Sequence, residues 1–246
     1  MIEIDAKGMY YRDLNRLIRK KIKEGNKDIY IKNVKGQYYI CDGIKGNDIK
    51  VTIEGIPGND LGAFMDGPTV ILKSNGQDNI GNTMTNGKII VNGIAGDVCG
   101  YAMRGGKLFI KEDVGYRIGI HMKGYKDKNP IIIIGGKAGD FLGEYMAGGI
   151  LILLGLTAKD NEPIVGDYLG TGMHGGVLYI RGSVDKSKCG KEVEIKKLNK
   201  GDKKILEKLI TEFCEDFSLN LNEIMSKEFS KLVPKSSRPY GALYAK

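Results

Sequence analysis

The sequence is short of the residues from which metal centres and membrane segments are usually built. It has two histidines and four widely separated cysteines, without a Cys-x-x-Cys or His-x-x-x-His pair, so a zinc site is not expected. No apolar run approaches the roughly 18 residues of a membrane-spanning helix, and no signal-peptide pattern is present. Scattered cysteines are typical of a reducing compartment. We therefore expect a cytoplasmic protein with no membrane contact.

A concentrated basic stripe is also missing, although the net charge is +8. The charge is +5 over residues 1–50, −1 over 51–184 and +4 over 185–246. The basic residues of the two ends are mixed with acids, whereas nucleic-acid binding needs basic residues clustered with aromatic platforms. We expect no nucleic-acid partner and interpret the lysines as a solvated surface.

What the sequence has is a repeat built on glycine and methionine. Each of six methionines has a glycine three residues before it and Leu, Ile or Cys four residues before it. The first four are spaced by 19 residues, and the next two follow at 24 and 27. A fixed period of this length is the signature of a solenoid. The methionines are Met65, Met84, Met103, Met122, Met146 and Met173.

Each unit continues with a glycine and then a short run of β-branched or aliphatic residues, such as Ile89-Ile90-Val91 or Ile131 to Ile134. Such a run lacks the 3.6-residue period of a helix and predicts a short buried strand. Stacked coils would bury a continuous core, with methionines and Leu/Ile/Cys as internal ladders. The fold class we predict is all-β, a right-handed single-stranded parallel β-helix solenoid with helical N- and C-terminal flanking segments.

Two further features of the units bear on their surface. Asn or Asp stands six residues before most of the methionines, where it could bond nearby backbone N–H groups in turns; the fourth unit has Tyr116 there. Insertions at 125–130 and 157–163 are expected to form surface loops.

The predicted organisation has three parts: an N-terminal helix and strands over 1–50, the parallel β-helix over 51–184, and C-terminal helices and a tail over 185–246. In the first part, a helix over 9–24 has Asp13 as a candidate cap and Gly25 as a stop. Strands are predicted for Asp28 to Ile31 and Gln37 to Cys41.

In the third part, one helical pattern runs from Ile205 through Phe217 and another from Leu221 to Phe229, followed by an extended tail from Val233 to Gly241. Solenoids need capped ends, so the first helix is expected to cap. The C-terminal helices could equally cap or dock on a partner, and the tail could be a binding arm or ordered coil.

A search for catalytic chemistry returns weak candidates. Gly170 to Gly175 matches G-x-G-x-x-G, but a strand pattern follows where a dinucleotide site needs a helix. His121 and His174 hold different registers, and Cys99 occupies a position held elsewhere by Leu or Ile. We predict no catalytic, cofactor-binding or metal residues in this chain.

The segments Gly96 to Leu108 and Gly139 to Gly149 resemble the glycine-motif (GXGXG) domain that ends the large (alpha) subunit of glutamate synthase. Gly58 to Phe64 and Asn79 to Met84 are similar to further stretches of that domain. The likeness covers roughly residues 5–184. It implies a right-handed parallel β-helix, in agreement with the repeat.

In that family, ammonia released from glutamine by an amidotransferase domain reacts with 2-oxoglutarate, and the imine is reduced at an FMN site beside an iron–sulfur cluster. This chain has no N-terminal Cys nucleophile, no (β/α)8 pattern and no cysteine cluster. The resemblance implies a free-standing, non-catalytic module of an archaeal-type glutamate synthase. Its expected partners are a glutaminase-type amidotransferase subunit and an FMN/iron–sulfur synthase subunit, which would carry the cofactors of glutamate biosynthesis and ammonia assimilation.

Two other hypotheses stay open. The repeat is also similar to the β-helix subunit of formylmethanofuran dehydrogenase, which likewise lies beside catalytic subunits. Alternatively, the chain is an independent enzyme with a site on the coil surface, for which 125–130, 157–163 and His121 are the first candidates. An exposed sheet edge would also permit a homo-oligomer when partners are missing.

Overall fold

The computed structural model describes residues 1–236 and is built around one eleven-stranded sheet. The first nine strands are parallel and lie in chain order, and the last two are antiparallel. The predicted fold class, a parallel β-helix with helical flanking segments, is confirmed. The strands are β1 (Ile2–Asp5), β2 (Asp28–Lys35), β3 (Lys50–Ile56), β4 (Asp66–Leu72), β5 (Asn86–Val91), β6 (Lys107–Ile110), β7 (Ile131–Ile134), β8 (Ala147–Leu153), β9 (Gly175–Arg181), β10 (Val193–Lys196) and β11 (Phe229–Pro234).

The sheet holds its register from coil to coil. Ile89 of β5 pairs with Leu108 of β6, and Leu108 pairs with Ile132 of β7. Equivalent side chains therefore stack above one another at the strand spacing of about 4.8 Å. The six predicted apolar runs lie in strands, except that Leu154 follows the end of β8. Runs that are buried on both faces suit a sheet that lies between the coil interior and the helices outside it.

The six methionines form the predicted internal ladder, and each is at most 1% exposed. The Leu/Ile/Cys positions four residues earlier form a second buried ladder in the same core. Thioethers suit this place because they fill irregular gaps between coils. Cys99 belongs to the second ladder, and burial raises the pKa of its thiol to about 12.

The stack continues beyond the methionine units by one coil at each end. The N–H of Gly62 donates to Ile40 O, and the N–H of Gly190 donates to Leu169 O, as between the inner coils. Ile44 and Val193 thus take the place of the ladder methionine. The predicted strand Gln37 to Cys41 is wrong, because these residues form the corner of the first coil.

The helix α1 (Tyr11–Lys23) closes the first coil. Its apolar residues Leu14 and Ile18 are fully buried in the coil core, so the predicted capping role is confirmed. Asp13 is not its cap, since it lies in the first turn. The cap residue is Tyr10, which makes no side-chain capping hydrogen bond. Gly25, with φ +89°, follows the helix end as predicted.

The C-terminal helices α2 (Lys200–Phe217) and α3 (Leu221–Met225) cover the outer face of the sheet. Phe213 of α2 meets Phe109 of β6 with ring centroids 5.6 Å apart. Of the predicted apolar positions, Ile205 faces solvent and is 40% exposed. The last predicted helix ends at Met225, and Phe229 instead begins β11.

Strand β11 returns antiparallel to β9 and in turn pairs with β10. At the C-terminal edge of the sheet the outermost strand is therefore β10, which is four residues long and carries Glu194 and Lys196. Short charged edges of this kind discourage sheet-to-sheet association. The extended conformation predicted for the tail is confirmed for Val233 and Pro234, while its residues 237–241 lie outside the described residues.

Candidate interaction surface

From the first coil to the Met173 coil, the chain turns a corner through the six residues before the ladder residue, Ile44 or a methionine. We call each of these six-residue stretches a corner segment. In the second coil, φ is positive at Asp60, Gly62 and Phe64, and the pattern recurs around the stack. Left-handed backbone costs about 1 kcal/mol for a residue with a Cβ, and β-branched Val98 adopts it at φ 61°. The corner segments are 38–43, 59–64, 78–83, 97–102, 116–121, 140–145 and 167–172.

The alternating backbone turns the N–H groups of the corner along the axis of the stack. Asp60 donates its N–H to Asp78 O at 3.0 Å, and Phe64 donates to Asn82 O at 2.8 Å, both in the next coil. Gly62 donates in the opposite direction, to Ile40 O at 2.8 Å. These bonds offset the left-handed strain and explain why the corner keeps one shape while its side chains vary.

The Asp ladder also bonds between coils. Asp78 Oδ1 accepts from the N–H of Asp97 at 2.9 Å, and Asp97 Oδ1 accepts from Tyr116 N–H at 2.8 Å. The predicted bonds to backbone N–H groups are therefore present, and stacking places the N–H that is bound in the next coil. A Cβ on Gly96 would lie 2.0 Å from Asp78 Oδ1, which explains the glycine that precedes Asp97.

Aromatic side chains collect on the outside of these corners. Fifteen large hydrophobic side chains are exposed in the described chain, and seven of them lie in the 42 residues of the corner segments. Exposed apolar side chains that cluster in this way mark interaction sites. The seven are Tyr38, Tyr39, Phe64, Tyr101, Tyr116, Tyr145 and Tyr168.

Towards the C-terminal end the rings contact one another in two rows. His121 lies between Tyr101 and Tyr145, with its ring 5.3 Å from that of Tyr145 and nearly parallel to it. In a second row, Phe141 stacks on Tyr168 at 4.8 Å. We call these five residues the aromatic patch.

The charge of the corner segments is opposite to that of the protein. They contain seven carboxylates and one cationic side chain, Arg117, whereas the whole chain carries +8. The guanidinium of Arg117 lies 4.5 Å above the ring of Phe141 and pairs with the nearly buried carboxylate of Glu144. The patch thus already holds one guanidinium between an aromatic face and a carboxylate.

The residues singled out from the sequence do not converge on a catalytic centre. His121 lies in the aromatic patch, while His174 Nδ1 lies 3.2 Å from Gly172 O. Gly170 to Gly175 leads into strand β9 and opens no helix. Within residues 1–236 there is no group of three His, Cys, Asp or Glu side chains that could hold a metal ion.

The insertion 157–163 is exposed as predicted and borders an open groove of about 480 Å³. Charged side chains that line the groove form ion pairs: Lys137 Nζ lies 2.6 Å from Glu162 and 3.7 Å from Asp113. The hydrogen bond with Glu162 raises the pKa of Lys137, and Lys137 lowers the pKa of Glu162. The ion pair joins the loop to the coil at Lys137.

The other insertion, 125–130, is a small hairpin closed by reciprocal backbone bonds between Tyr125 and Lys128 at 3.0 Å. Its Tyr125 ring is exposed but lies outside the corner segments. Among the described helices, none is long and apolar enough to cross a bilayer.

Comparison with known proteins assigns the repeat to a family. The family model described as GXGXG motif matches residues 15–238, most of the chain. The chain belongs to the GXGXG-motif family. This confirms the resemblance to the glycine-motif domain of glutamate synthase that the repeats predict. An uncharacterised protein of Methanocaldococcus jannaschii is 48% identical to this GXGXG chain, over 99% of the chain and 96% of the relative.

The architecture also matches a solved structure. A chain in the formyltransferase/hydrolase complex of Methylorubrum extorquens, determined with methylofuran, aligns with a TM-score of 0.62 and 20% identity. The alignment covers 85% of this GXGXG chain and 79% of that chain. At this identity the likeness shows the fold alone.

Proposed function

We propose that this chain is a non-catalytic scaffold subunit of an archaeal-type glutamate synthase in the cytoplasm. It holds a glutaminase-type amidotransferase subunit and an FMN/iron–sulfur synthase subunit in register, so that ammonia passes between them. The observation that carries the proposal is the GXGXG match over residues 15–238, which covers most of the chain. The paired charges of the groove at Lys137 support a non-catalytic role.

The proposal is tested by affinity capture of the tagged full chain from its native host, with partners identified by mass spectrometry. We expect an amidotransferase and a flavin and iron–sulfur protein, recovered with glutamine-dependent glutamate synthesis. The chain alone is expected to show no such activity. Recovery of neither partner contradicts the proposal.

The second candidate is a scaffold that resembles the β-helix subunit of formylmethanofuran dehydrogenase. The observation that favours it is the fold shared with a chain of the formyltransferase/hydrolase complex. The same capture experiment separates the two, because this candidate predicts molybdenum or tungsten enzyme subunits in place of the amidotransferase.

A further inference from the structure

We propose that the corner segments, centred on the aromatic patch, are the surface on which a partner subunit docks through an arginine-rich contact region. This inference rests on the proposed function, since it assumes that a partner subunit exists. It adds which face of the coil stack is used and the chemistry of the surface that meets it.

The corner segments present exposed aromatic rings. Tyr145 and Tyr168 are 45% and 57% exposed, although both are anchored on one side by stacking on His121 and Phe141. Interface cores are enriched in tyrosine held in this way, because a ring that is already ordered loses little entropy on binding.

The corner segments differ in charge from the rest of the chain, since they contain seven carboxylates and one cationic side chain. Asp167, beside Tyr168, pairs with Lys188 Nζ at 3.4 Å, and its side chain is still 62% exposed. A partner surface of positive charge would be attracted to the corners and repelled by the basic remainder of the chain, which favours one orientation on encounter.

An arginine suits this surface better than a lysine does. Arg117 shows that a guanidinium can lie over a ring of this patch while it pairs with a carboxylate. Planar guanidinium groups stack on aromatic faces and pair with carboxylates at the same time, whereas an ammonium is a point charge. We expect arginines of a partner to bind the exposed rings of Tyr145 and Tyr168 in the same way.

The outer face of the sheet is a poor alternative for docking. Helices α2 and α3 bury Phe109 and Tyr179 there, and Lys88 and Lys107 pair with Glu212 of α2 at 2.9 and 2.6 Å. The corner segments keep their aromatic rings exposed in the same structure.

The test compares three tagged full-length chains in the native host: wild type, the double variant Tyr145→Ala/Tyr168→Ala, and the matched control Tyr125→Ala. Tyr125 is 56% exposed, as Tyr168 is 57%, but it lies on the hairpin outside the corner segments. The readout is the amount of the identified amidotransferase or flavin/iron–sulfur subunit per tagged chain. Circular dichroism and melting temperature verify that each variant is folded.

We expect the double variant to lose about tenfold or more of the bound subunit, as for hot-spot side chains, and the control to stay within about twofold of wild type. Binding to wild type should weaken as NaCl is raised, and Asp167→Asn should slow association. Cross-linking should join the corner segments to an arginine-rich region of the partner.

Full retention of the subunit by the folded double variant overturns the docking face and leaves the proposed function intact. Recovery of no subunit by wild type overturns the proposed function and the docking face with it. An acidic partner region in the cross-links overturns the charge argument. A dimer of the purified chain that Tyr145→Ala/Tyr168→Ala abolishes assigns the face to a second copy and overturns docking of another subunit.

Discussion

Aromatic residues are buried on the outer face of the sheet (the flat face) and exposed on the face formed by the corner segments (the corner face). On the flat face Phe109 is fully buried beneath Phe213 of α2. On the corner face Tyr145 and Tyr168 stay about half exposed although they are stacked and ordered. The chain therefore covers one apolar surface with its own helices and leaves the other open. Substitutions on the flat face should change stability, and those on the corner face should change binding.

The largest effect is expected from Phe213→Ala, which removes the ring between Phe109 and Phe217. Loss of a fully buried phenylalanine costs about 3–5 kcal/mol of unfolding free energy. Urea unfolding measures the change. Ile205→Ala, on the exposed side of the same helix, serves as control and should stay within about 0.5 kcal/mol; equal losses from the two would refute the docking of α2.

The next effect concerns the glycine of the corner. At Gly100 φ is +72°, and a Cβ would lie 2.3 Å from Ile132 Cδ1. Gly100→Ala should therefore cost both the left-handed strain and a shift of packed Ile132, about 2–4 kcal/mol in all.

Gly8→Ala separates the two contributions, since Gly8 has φ +70° with open space around it. Its cost should be near 1 kcal/mol, roughly the strain alone. Equal thermal shifts for the two variants would contradict the close approach of the coils at Gly100.

A smaller loss of stability is expected at low pH. Burial raises the pKa of Glu212, but hydrogen bonds from Lys107 and Lys88 outweigh it, and the net pKa lies below the ordinary 4.5. A lowered carboxyl pKa contributes stability that is complete above about pH 4.5 and is lost as pH falls through the folded-state value. The attachment of α2 to the sheet should weaken in that range.

The measurement is the free energy of unfolding against pH for wild type and Glu212→Gln. Wild type should lose stability more steeply than the variant below about pH 4.5, while above that pH the variant should be the less stable of the two. Parallel profiles would show that Glu212 is not held in its charged form by the two lysines.

The smallest change in stability is expected on the corner face. Tyr168→Ala removes a half-exposed ring whose main contact is the stack on Phe141, so the loss should be about 1 kcal/mol or less. Thermal unfolding verifies it. If Tyr168→Ala lowers the unfolding free energy as much as Phe213→Ala does, the aromatic patch stabilises the fold. The corner face would then not differ from the flat face.

The repeat predicted the coils well because glycine, methionine and the apolar run recur at fixed distances. Period alone did not reveal the first and last coils, since Ile44 and Val193 replace methionine there and Cys41, at φ 65°, stands where glycine is usual. The sequence also wrongly predicted a helix at Phe229. The spacing of Phe229 continues the helical pattern, but its pairing with β9 places it in a strand.

The aromatic patch was missed for a different reason. Tyr145 and His121 both directly precede a ladder methionine, and Phe141 and Tyr168 both stand five residues before one. Aligning the units by their methionines exposes this pattern. That these positions point outward depends on the alternating sign of φ in the corner, which the sequence signals only at the glycines.

The most direct test of whether the partner binds the corner face is hydrogen exchange of the backbone amides. It is measured on the chain alone and in its purified native complex. We predict slower exchange on complex formation in peptides covering 97–102, 116–121, 140–145 and 167–172, with α2 and the sheet unchanged. Protection confined to α2 or to the sheet, with the corner segments unaltered, would contradict the assignment of the corner face to the partner.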